Sequence, residues 1–499
     1  MSTKTAAHGL AGMRPRVLLV NLPYVVQGID SNRPKIRSFL AVPYGLLSIA
    51  TFNTDITDIR VFDCDATPSY GGALAGLIQE FKPDIVGFSM MFDNSFAHLR
   101  KLAALVKSLL PSCTVILGGA AASYAYEEIL LHVPEIEAVC FSEGELPLRE
   151  LLLMQDFGSS WARRDYWSPD RIVTPTASPI SDLDSVIDLD YSFIDPAAYN
   201  MQQAFSPYID YAKEHKQFFI STTRGCPFKC TFCSNSALHG KKMRFASVEA
   251  VVIHVRKLVE EYGMDVLTIY DDQLLLDTKR AKKLFRRLAR FNLRIEMPNG
   301  LSVRYIDAEM ADLMRRAGVD TVYLAVETGS EYVLTELIRK PLKLHQVEPA
   351  VKALRNADFF IHGFFVFGMP GETKQHRRET YDFMADIDLD WYGMNMATPV
   401  RGSKLYDDCI RNGWIQKQPI NEIVDKKYII NWSKEETAYE IEREVYEFNL
   451  RFNFHNNRRM RLGDYDTAAA CFREVTRRYE GHEVAKNLLK CCEEKLNVD

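Results

Sequence analysis

Apolar runs of four to six residues, each bounded by polar or turn-forming positions, recur through the first 150 residues. They are Arg16-Val17-Leu18-Leu19-Val20-Asn21, Asp58-Ile59-Arg60-Val61-Phe62-Asp63, Asp84-Ile85-Val86-Gly87-Phe88-Ser89, Thr114-Val115-Ile116-Leu117-Gly118-Gly119 and Ala138-Val139-Cys140-Phe141. Runs of this length and β-branched content predict buried strands, and the segments between them carry helical periodicity. Such alternation predicts a doubly wound, Rossmann-like parallel sheet over residues 1–150. Each strand ends in or is followed by Gly, Ser, Asp or Asn, which form ligand-lining turns at the carboxyl edge of such a sheet. Gly118-Gly119 and Glu143-Gly144-Glu145 either admit a ligand close to the backbone or are simply tight turns.

Periodicity fades over residues 151–205, where Ser159-Ser160, Pro169, Pro175, Pro179 and Pro196 give the composition of a linker. Alternation resumes from about residue 206, with strands expected near 217–222, 266–270, 294–300, 321–326, 361–367 and 391–397. Six βα units predict a partial (βα)6 barrel over 206–415, open on one side. Its outer helices include Ser247 to Tyr262, which sets Val251, Val252, Val255, Leu258 and Val259 on one face. Residues 416–499 read as a helical C-terminal cap, with Glu435, Glu436, Glu440, Glu442, Glu444 and Glu447 interleaved with Ile441, Val445, Phe448 and Leu450. The run Leu462 to Phe472 looks like part of one tetratricopeptide-type helix pair, but one pair cannot make a solenoid, which favours a lid packed on the barrel.

A net charge of −5 without a long basic run gives no footprint for nucleic acid. No apolar stretch reaches the length of a membrane span, and Met1 to Pro15 lacks the apolar core of a signal peptide, so a cytoplasmic protein is expected. Cysteines 64, 113, 140, 409, 471, 491 and 492 follow no disulfide framework and read as packing residues of a reducing compartment.

Three other cysteines carry the chemistry. Cys226-x3-Cys230-x2-Cys233 lies in Thr223-Arg224-Gly225-Cys226-Pro227-Phe228-Lys229-Cys230-Thr231-Phe232-Cys233, directly after the strand expected at Gln217 to Thr222. Chance places this spacing in a chain of this composition only ~0.004 times. A [4Fe–4S] cluster takes four thiolates, so a loop offering three leaves one iron open to a bidentate small molecule such as S-adenosylmethionine. The competing readings are a zinc knuckle, which needs a fourth protein ligand, and unligated core cysteines.

Cys226, Cys230 and Cys233, with the aromatic Phe232, resemble the cysteine motif of the radical S-adenosylmethionine superfamily. The resemblance implies a reduced cluster that cleaves S-adenosylmethionine to a 5′-deoxyadenosyl radical, with electrons from an external donor such as flavodoxin or ferredoxin. An N-terminal domain of the expected type directly before this motif is similar to that of the cobalamin-dependent members. There the corrinoid tail would lie near Ser89, Gly118, Gly119 and Glu143 to Glu145, including Gly144. The Asp-x-His-x-x-Gly signature is absent, since Asp63-Cys64-Asp65-Ala66-Thr67 follows the second strand, so a bound cobalt is expected to lack that histidine.

For S-adenosylmethionine, Asp272 or Gln273 in Tyr270-Asp271-Asp272-Gln273 stands where the superfamily often has a Gly-Gly-Glu-like turn for the amino group. Arg304 is expected to pair with a carboxylate, and Glu327 to hold the ribose or amino group, unless either is a salt-bridged barrel residue. The run Phe367-Gly368-Met369-Pro370-Gly371-Glu372 lets the backbone pass beneath adenine at Gly368. Arg401, in Pro399-Val400-Arg401-Gly402-Ser403, is the choice for an anionic substrate group. Tyr392, Tyr406 and Cys409 either return a hydrogen atom to a substrate radical or are packing residues.

The leading function is cobalamin-dependent methylation of an unactivated carbon in small-molecule biosynthesis. The alternative is radical rearrangement, cyclisation, dehydration or epimerisation without methyl transfer. A transfer-RNA methylthiotransferase is disfavoured by the lack of a second three-cysteine set, and a non-enzymatic binding module by the intact cysteines.

Overall fold

The computed structural model describes residues 14–23, 40–168, 171–199, 207, 215–417 and 430–497. Most of the stretch read as lacking a signal peptide, together with Pro169 and residues 200–205 of the expected linker, lies outside them. Two compact units emerge: residues 14–199 with 237–240 and Lys417, and the remainder.

In the first unit β1 (Arg16–Asn21), α1 (Tyr44–Asn53), β2 (Asp58–Asp63), α2 (Tyr70–Phe81), β3 (Ile85–Ser89), α3 (Phe96–Leu109), β4 (Thr114–Gly118), α4 (Ala120–His132), β5 (Ala138–Cys140) and α5 (Glu145–Met154) alternate. Strands β1 to β5 are parallel in the order 2-1-3-4-5, so the order reverses between β1 and β3. Ligands of doubly wound sheets bind beyond the carboxyl ends at such a reversal, here Asn21 and Ser89. The sheet continues past β5: β6 (Trp161–Arg164) adds antiparallel to β5, and β7 (Ile172–Val173) antiparallel to β6. This corrects the linker expectation. Serines and prolines disguise the segment, but Trp161 and Ala162 are buried, and Phe157 stands edge-on to Trp161. The short helix α6 (Asp184–Ile187) follows.

The second unit opens with β8 (Gln217–Ile220), then an antiparallel ribbon of β9 (Thr223–Arg224) and β10 (Arg244–Phe245) around the cysteine loop. The short helix α7 (Asn235–Leu238) interrupts that loop. There follow α8 (Val248–Tyr262), β11 (Val266–Ile269), α9 (Thr278–Leu288), β12 (Arg294–Glu296), α10 (Ala308–Arg316), β13 (Thr321–Glu327), α11 (Val347–Asn356), β14 (Phe360–Phe367), α12 (Lys374–Ile387), β15 (Trp391–Met396) and α13 (Lys404–Arg411). The parallel strands pair as β8-β11-β12 and β13-β14-β15, and one bridge, Leu301 to Leu324, joins the halves into an open six-stranded barrel. The strand expected to reach residue 300 ends at Glu296, and the chain then turns to make that bridge.

Alternation sorts the strand side chains. Tyr323, His362 and Phe364 meet one another on the inner face, whereas Phe365 and Phe367 meet Tyr392 and Tyr381 on the face toward the helices. Helix α8 starts at Ser247, whose side chain accepts from Ala250 N, and buries Val251, Val252, Val255 and Leu258. Each contributes about 1.5–3 kcal/mol by leaving water.

The C-terminal helices α14 (Ala438–Leu450), α15 (Arg458–Arg461), α16 (Tyr465–Arg478) and α17 (Glu483–Leu496) pack on the barrel. Phe454 and Phe472 join Phe360 and Trp391 in one core. Beside it the buried Asp390 accepts from Ile361 N (2.9 Å), Arg458 Nη1 (3.0 Å) and Arg459 Nε (2.6 Å). Replacing Asp390 by alanine strands Ile361 N and removes the carboxylate that Arg458 and Arg459 share. Arg458 keeps Asp388 (3.3 Å) and Arg459 keeps Asp464 (3.0 Å), so the change should cost about 1–3 kcal/mol. Denaturant unfolding of D390A should show that loss.

Candidate functional site

The cysteine loop leaves β8 at its carboxyl end and is fixed at both ends of its run. Asp271, buried at the end of β11, accepts hydrogen bonds from Thr222 N, Thr222 Oγ1 and Thr223 N. Arg280 of α9 donates to the carbonyls of Ala246 (2.7 and 2.9 Å) and Thr222 (3.2 Å). In the middle of the motif Thr231 donates from N to Ile338 O (2.9 Å) and from Oγ1 to Leu337 O (2.6 Å), both on a π-helical turn over Val333–Ile338. Leu405 N closes the set by donating to Thr231 O at 2.8 Å.

The three thiols are free of disulfides. Burial pushes the Cys230 thiol up to about 12 and raises Cys226 and Cys233 as well, so the thiolates call for a positive partner. Among the described residues no three His, Cys, Asp or Glu side chains close around one ion. A cubane cluster does not ask for that convergence, because each thiolate takes a different iron. The residues present fit the cluster.

Two groups to which the sequence reading gave no role support the thiol loop. Lys340 is nine-tenths buried and pairs with Glu327 at 2.8 Å. Burial pulls its ammonium down, but Glu327 and the Cys230 and Cys226 thiols outweigh it and hold the pKa above the ordinary lysine value. Glu327 takes a left-handed backbone, φ +75°, at the end of β13. The other is Asp271, which anchors the loop while its neighbour Asp272 lies near enough to Cys226 and Cys233 to raise their pKa values. The only signal for Asp271 was its place in an Asp-Asp pair; Lys340 had none.

The other expected residues divide. Phe232 packs against the buried cluster that includes Ile338, Leu405 and Met369, and Met369 is the neighbour of Gly368. Gly368 has φ +77°, and a side chain there would strike Met396 Cε at 2.7 Å. Gln273 Oε1 accepts from Ser302 Oγ at 2.9 Å, which leaves its amide nitrogen for a ligand. Arg304 is exposed and donates to Pro341 O at 3.2 Å, next to Lys340. Arg401 is buried with its guanidinium 5.5 Å above the Tyr406 ring.

Tyr392 and Cys409 are corrected to packing residues. The Tyr392 hydroxyl donates to Met384 O (2.9 Å) and accepts from Leu389 N (2.7 Å), on the helix-facing side of β15. Cys409 is fully buried among Leu405, Tyr406 and Met369, with its thiol pushed up to about 11 by burial.

In the first unit, Ser89 and Gly118 end adjacent strands at the carboxyl edge. Gly119 is spoken for: with φ +102°, its Cβ would fall 2.6 Å from Met90 O. Gly144 is likewise a packing glycine against Ile49, 2.7 Å away. Glu143 is buried, accepting from Ile180 N and lying 3.2 Å from His239 Nδ1, and Glu145 accepts from Ser48 Oγ at 2.6 Å. These acids brace the interior and do not line the edge, which corrects the expectation for the 143–145 turn. A residue the sequence reading passed over fits a ligand better. Asn94, in the 3-10 turn after β3, buries both amide atoms without a hydrogen-bond partner among the described residues. An orphaned buried amide costs about 1–3 kcal/mol, which a polar ligand at this edge would offset. Asn94 would hold part of a corrinoid here.

Replacing Asp271 by alanine should free Thr222 and Thr223, costing about 1–3 kcal/mol per stranded donor. Iron per chain after reconstitution should fall with it. A pH effect follows from Glu372, whose carboxyl burial raises to about 8. Below the ordinary carboxylate range both folded and unfolded chains hold this proton; between there and about pH 8 only the folded chain does, so stability falls as pH rises through that window. Unfolding free energies of Glu372→Gln should be flatter across it than those of the parent chain.

The chain matches two protein families: the B12 binding domain over residues 38–152 and the Radical SAM superfamily over residues 220–384. It is 31% identical over 422 residues to cytidylyl-2-hydroxyethylphosphonate methyltransferase of Streptomyces wedmorensis, covering 77% of each chain. To an anaerobic magnesium-protoporphyrin IX monomethyl ester cyclase of Rubrivivax gelatinosus it is 25% identical over 343 residues, 66% of this chain and 59% of the other. Among solved structures, the radical S-adenosylmethionine methyltransferase TsrM of Kitasatospora setae, with cobalamin and [4Fe-4S] cluster bound, superposes with a TM-score of 0.61 at 17% identity, over 82% of this chain and 76% of TsrM. The cobalamin-dependent radical enzyme OxsB superposes with a TM-score of 0.61 at 15% identity, over 88% of this chain and 62% of OxsB. The fold is theirs. With both families matched in order and a relative of this identity over most of its length, the chain belongs to the cobalamin-dependent radical S-adenosylmethionine enzymes, whose cofactors are a [4Fe–4S] cluster, S-adenosylmethionine and a corrinoid.

Proposed function

We propose that the protein methylates an unactivated carbon of a small molecule. The observation that supports this most is the anchored three-thiol loop at the carboxyl end of β8, in a chain that also carries the B12-binding match. The cofactors, when bound, supply an adenosyl radical and a methyl group; the protein residues bind and orient. Cys226, Cys230 and Cys233 hold three irons, and the Lys340 ammonium balances thiolate charge nearby. Asp272 and Gln273 Oε1 would accept from the methionine amino group, and the Gly368 turn, with Phe232 nearby, would meet adenine. The buried amide of Asn94 would bind part of the corrinoid.

Overall, substrate–H and two molecules of S-adenosylmethionine with two electrons give methylated substrate, methionine, 5′-deoxyadenosine and S-adenosylhomocysteine. One electron would serve cleavage of S-adenosylmethionine and the other the return of the corrinoid to its methyl-accepting state, both from an external donor such as flavodoxin or ferredoxin. No helix among the described residues is long and apolar enough to cross a membrane, which is compatible with a cytoplasmic enzyme. The cyclase among the relatives favours one second reading, radical cyclisation without methyl transfer.

Replacing Cys226, Cys230 and Cys233 together by alanine should abolish both iron binding and 5′-deoxyadenosine formation. Turnover with S-adenosylmethionine labelled by deuterium in its methyl group separates the two readings. Label in the product, with S-adenosylhomocysteine matching 5′-deoxyadenosine, is the expected result; unlabelled product of altered mass would leave the cyclisation reading.

A further inference from the structure

The turn that carries Gly368 is held from an unexpected direction. Gly368 (φ +77°) and Gly371 (φ +94°) shape it, and Glu372 Oε2 accepts from Gly368 N at 2.5 Å. Where a Gly368 side chain would stand, Met396 Cε is 2.7 Å away and Ile441 Cγ2 of α14 is 3.9 Å away. Ile441 is 2% exposed, so the C-terminal helix closes over the outside of the turn.

A second link joins the same two elements. Arg377, in the first turns of α12, is wholly buried and donates from Nη2 to Glu436 (2.6 Å) and Glu444 (3.0 Å) and from Nε to Glu444 (3.3 Å). One turn further, Tyr381 stacks between Phe367 at the end of β14 and Phe448 of α14. Two carboxylates, a buried guanidinium and a ring sandwich thus tie α14 to the start of α12, five residues after Glu372. Without Arg377, Glu436 and Glu444 would lose the guanidinium that both share. Two carboxylates left without it repel, which would push α14 with Ile441 from the turn.

We propose that α14 holds the Gly368–Glu372 turn in its cofactor-binding shape through Arg377, which makes Arg377, Glu436 and Glu444 positioning residues for the adenosyl half of S-adenosylmethionine. The inference rests on the reading above that this turn meets adenine. It assigns the C-terminal helix a part in cofactor selection and not only in packing.

Methionine and S-adenosylmethionine provide the test, since methionine can reach the open iron without an adenosyl group. In the reconstituted full-length protein, each is titrated while the electron paramagnetic resonance of the reduced cluster is followed. Arg377→Met should weaken S-adenosylmethionine on the order of tenfold, the size of one lost positioned contact, and leave methionine binding and iron content unchanged. Arg377→Lys should recover part of the loss, and Glu436→Gln with Glu444→Gln should reproduce it. Should Arg377→Met fail to fold, Ile441→Ala removes the apolar half of the link and should give the same selective loss. Unchanged affinity for both ligands, or parallel loss of both, overturns the proposal. Parent protein whose cluster responds to neither ligand would overturn the functional reading itself, a different failure.

Discussion

A loop that presents three thiolates to a cluster cannot spend its backbone on a helix or a sheet, so neighbours have to fix it. Here they come from both halves of the barrel. Asp271 and Arg280 grip the entry from the β8-β11-β12 half, whereas the carbonyls of Leu337 and Ile338 grip Thr231 from the half built on β13. Thr231 lies between Cys230 and Phe232, so the cluster ligands move only if the two halves move. Site geometry and barrel closure are one constraint.

The price of that arrangement is a set of buried charges. Glu327 and Lys340 sit together, nine-tenths buried, and Glu327 also adopts a left-handed backbone of the kind that costs on the order of 1–3 kcal/mol. Arg377 and Asp390 are likewise buried with partners on the C-terminal helices. A buried ion pair is a poor source of stability, because desolvation cancels most of the attraction. Its use is directional: once both partners are out of water, neither can turn away. The first two fix elements that bound the cofactor region, the end of β13 and the start of α12, whereas Asp390 fixes the opposite end of the barrel, at the starts of β14 and β15.

Much of this was legible in the sequence because periodicity and spacing report it directly. Short apolar runs marked all five parallel strands of the first sheet and the six of the barrel, and Cys226, Cys230 and Cys233 marked the cluster loop. The failures have physical causes. Strands β6 and β7 were missed since a short antiparallel extension, buried mainly through Trp161, leaves no long apolar run. Glu143 and Gly144 look like ligand-lining residues, but which way a turn's side chains point depends on Ile180, His239 and Ile49, remote in sequence. Tyr392 was a candidate to return a hydrogen atom to a substrate radical; the parity of β15 instead sends its ring to the helices. Lys340 and Asn94 belong to no motif, and only burial singles them out.

The seam between the barrel halves shows how little backbone pairing the fold needs. One bridge, Leu301 to Leu324, crosses it, and Gly300 beside it has φ +82° with Ala325 and Phe364 atoms 3.3 Å from where its Cβ would lie. A side chain at 300 would wedge the seam apart, so glycine is required there on both steric and torsional grounds. What continuous strand pairing would do in a closed barrel is done here at the carboxyl end by the cysteine loop, whose Thr231 is clamped by Leu337 and Ile338. An open barrel closed this way concentrates its cross-links around the cofactor residues and leaves the edges at β8 and β15 for access. That is the distribution expected of a site that must exclude water near a radical while still admitting a substrate.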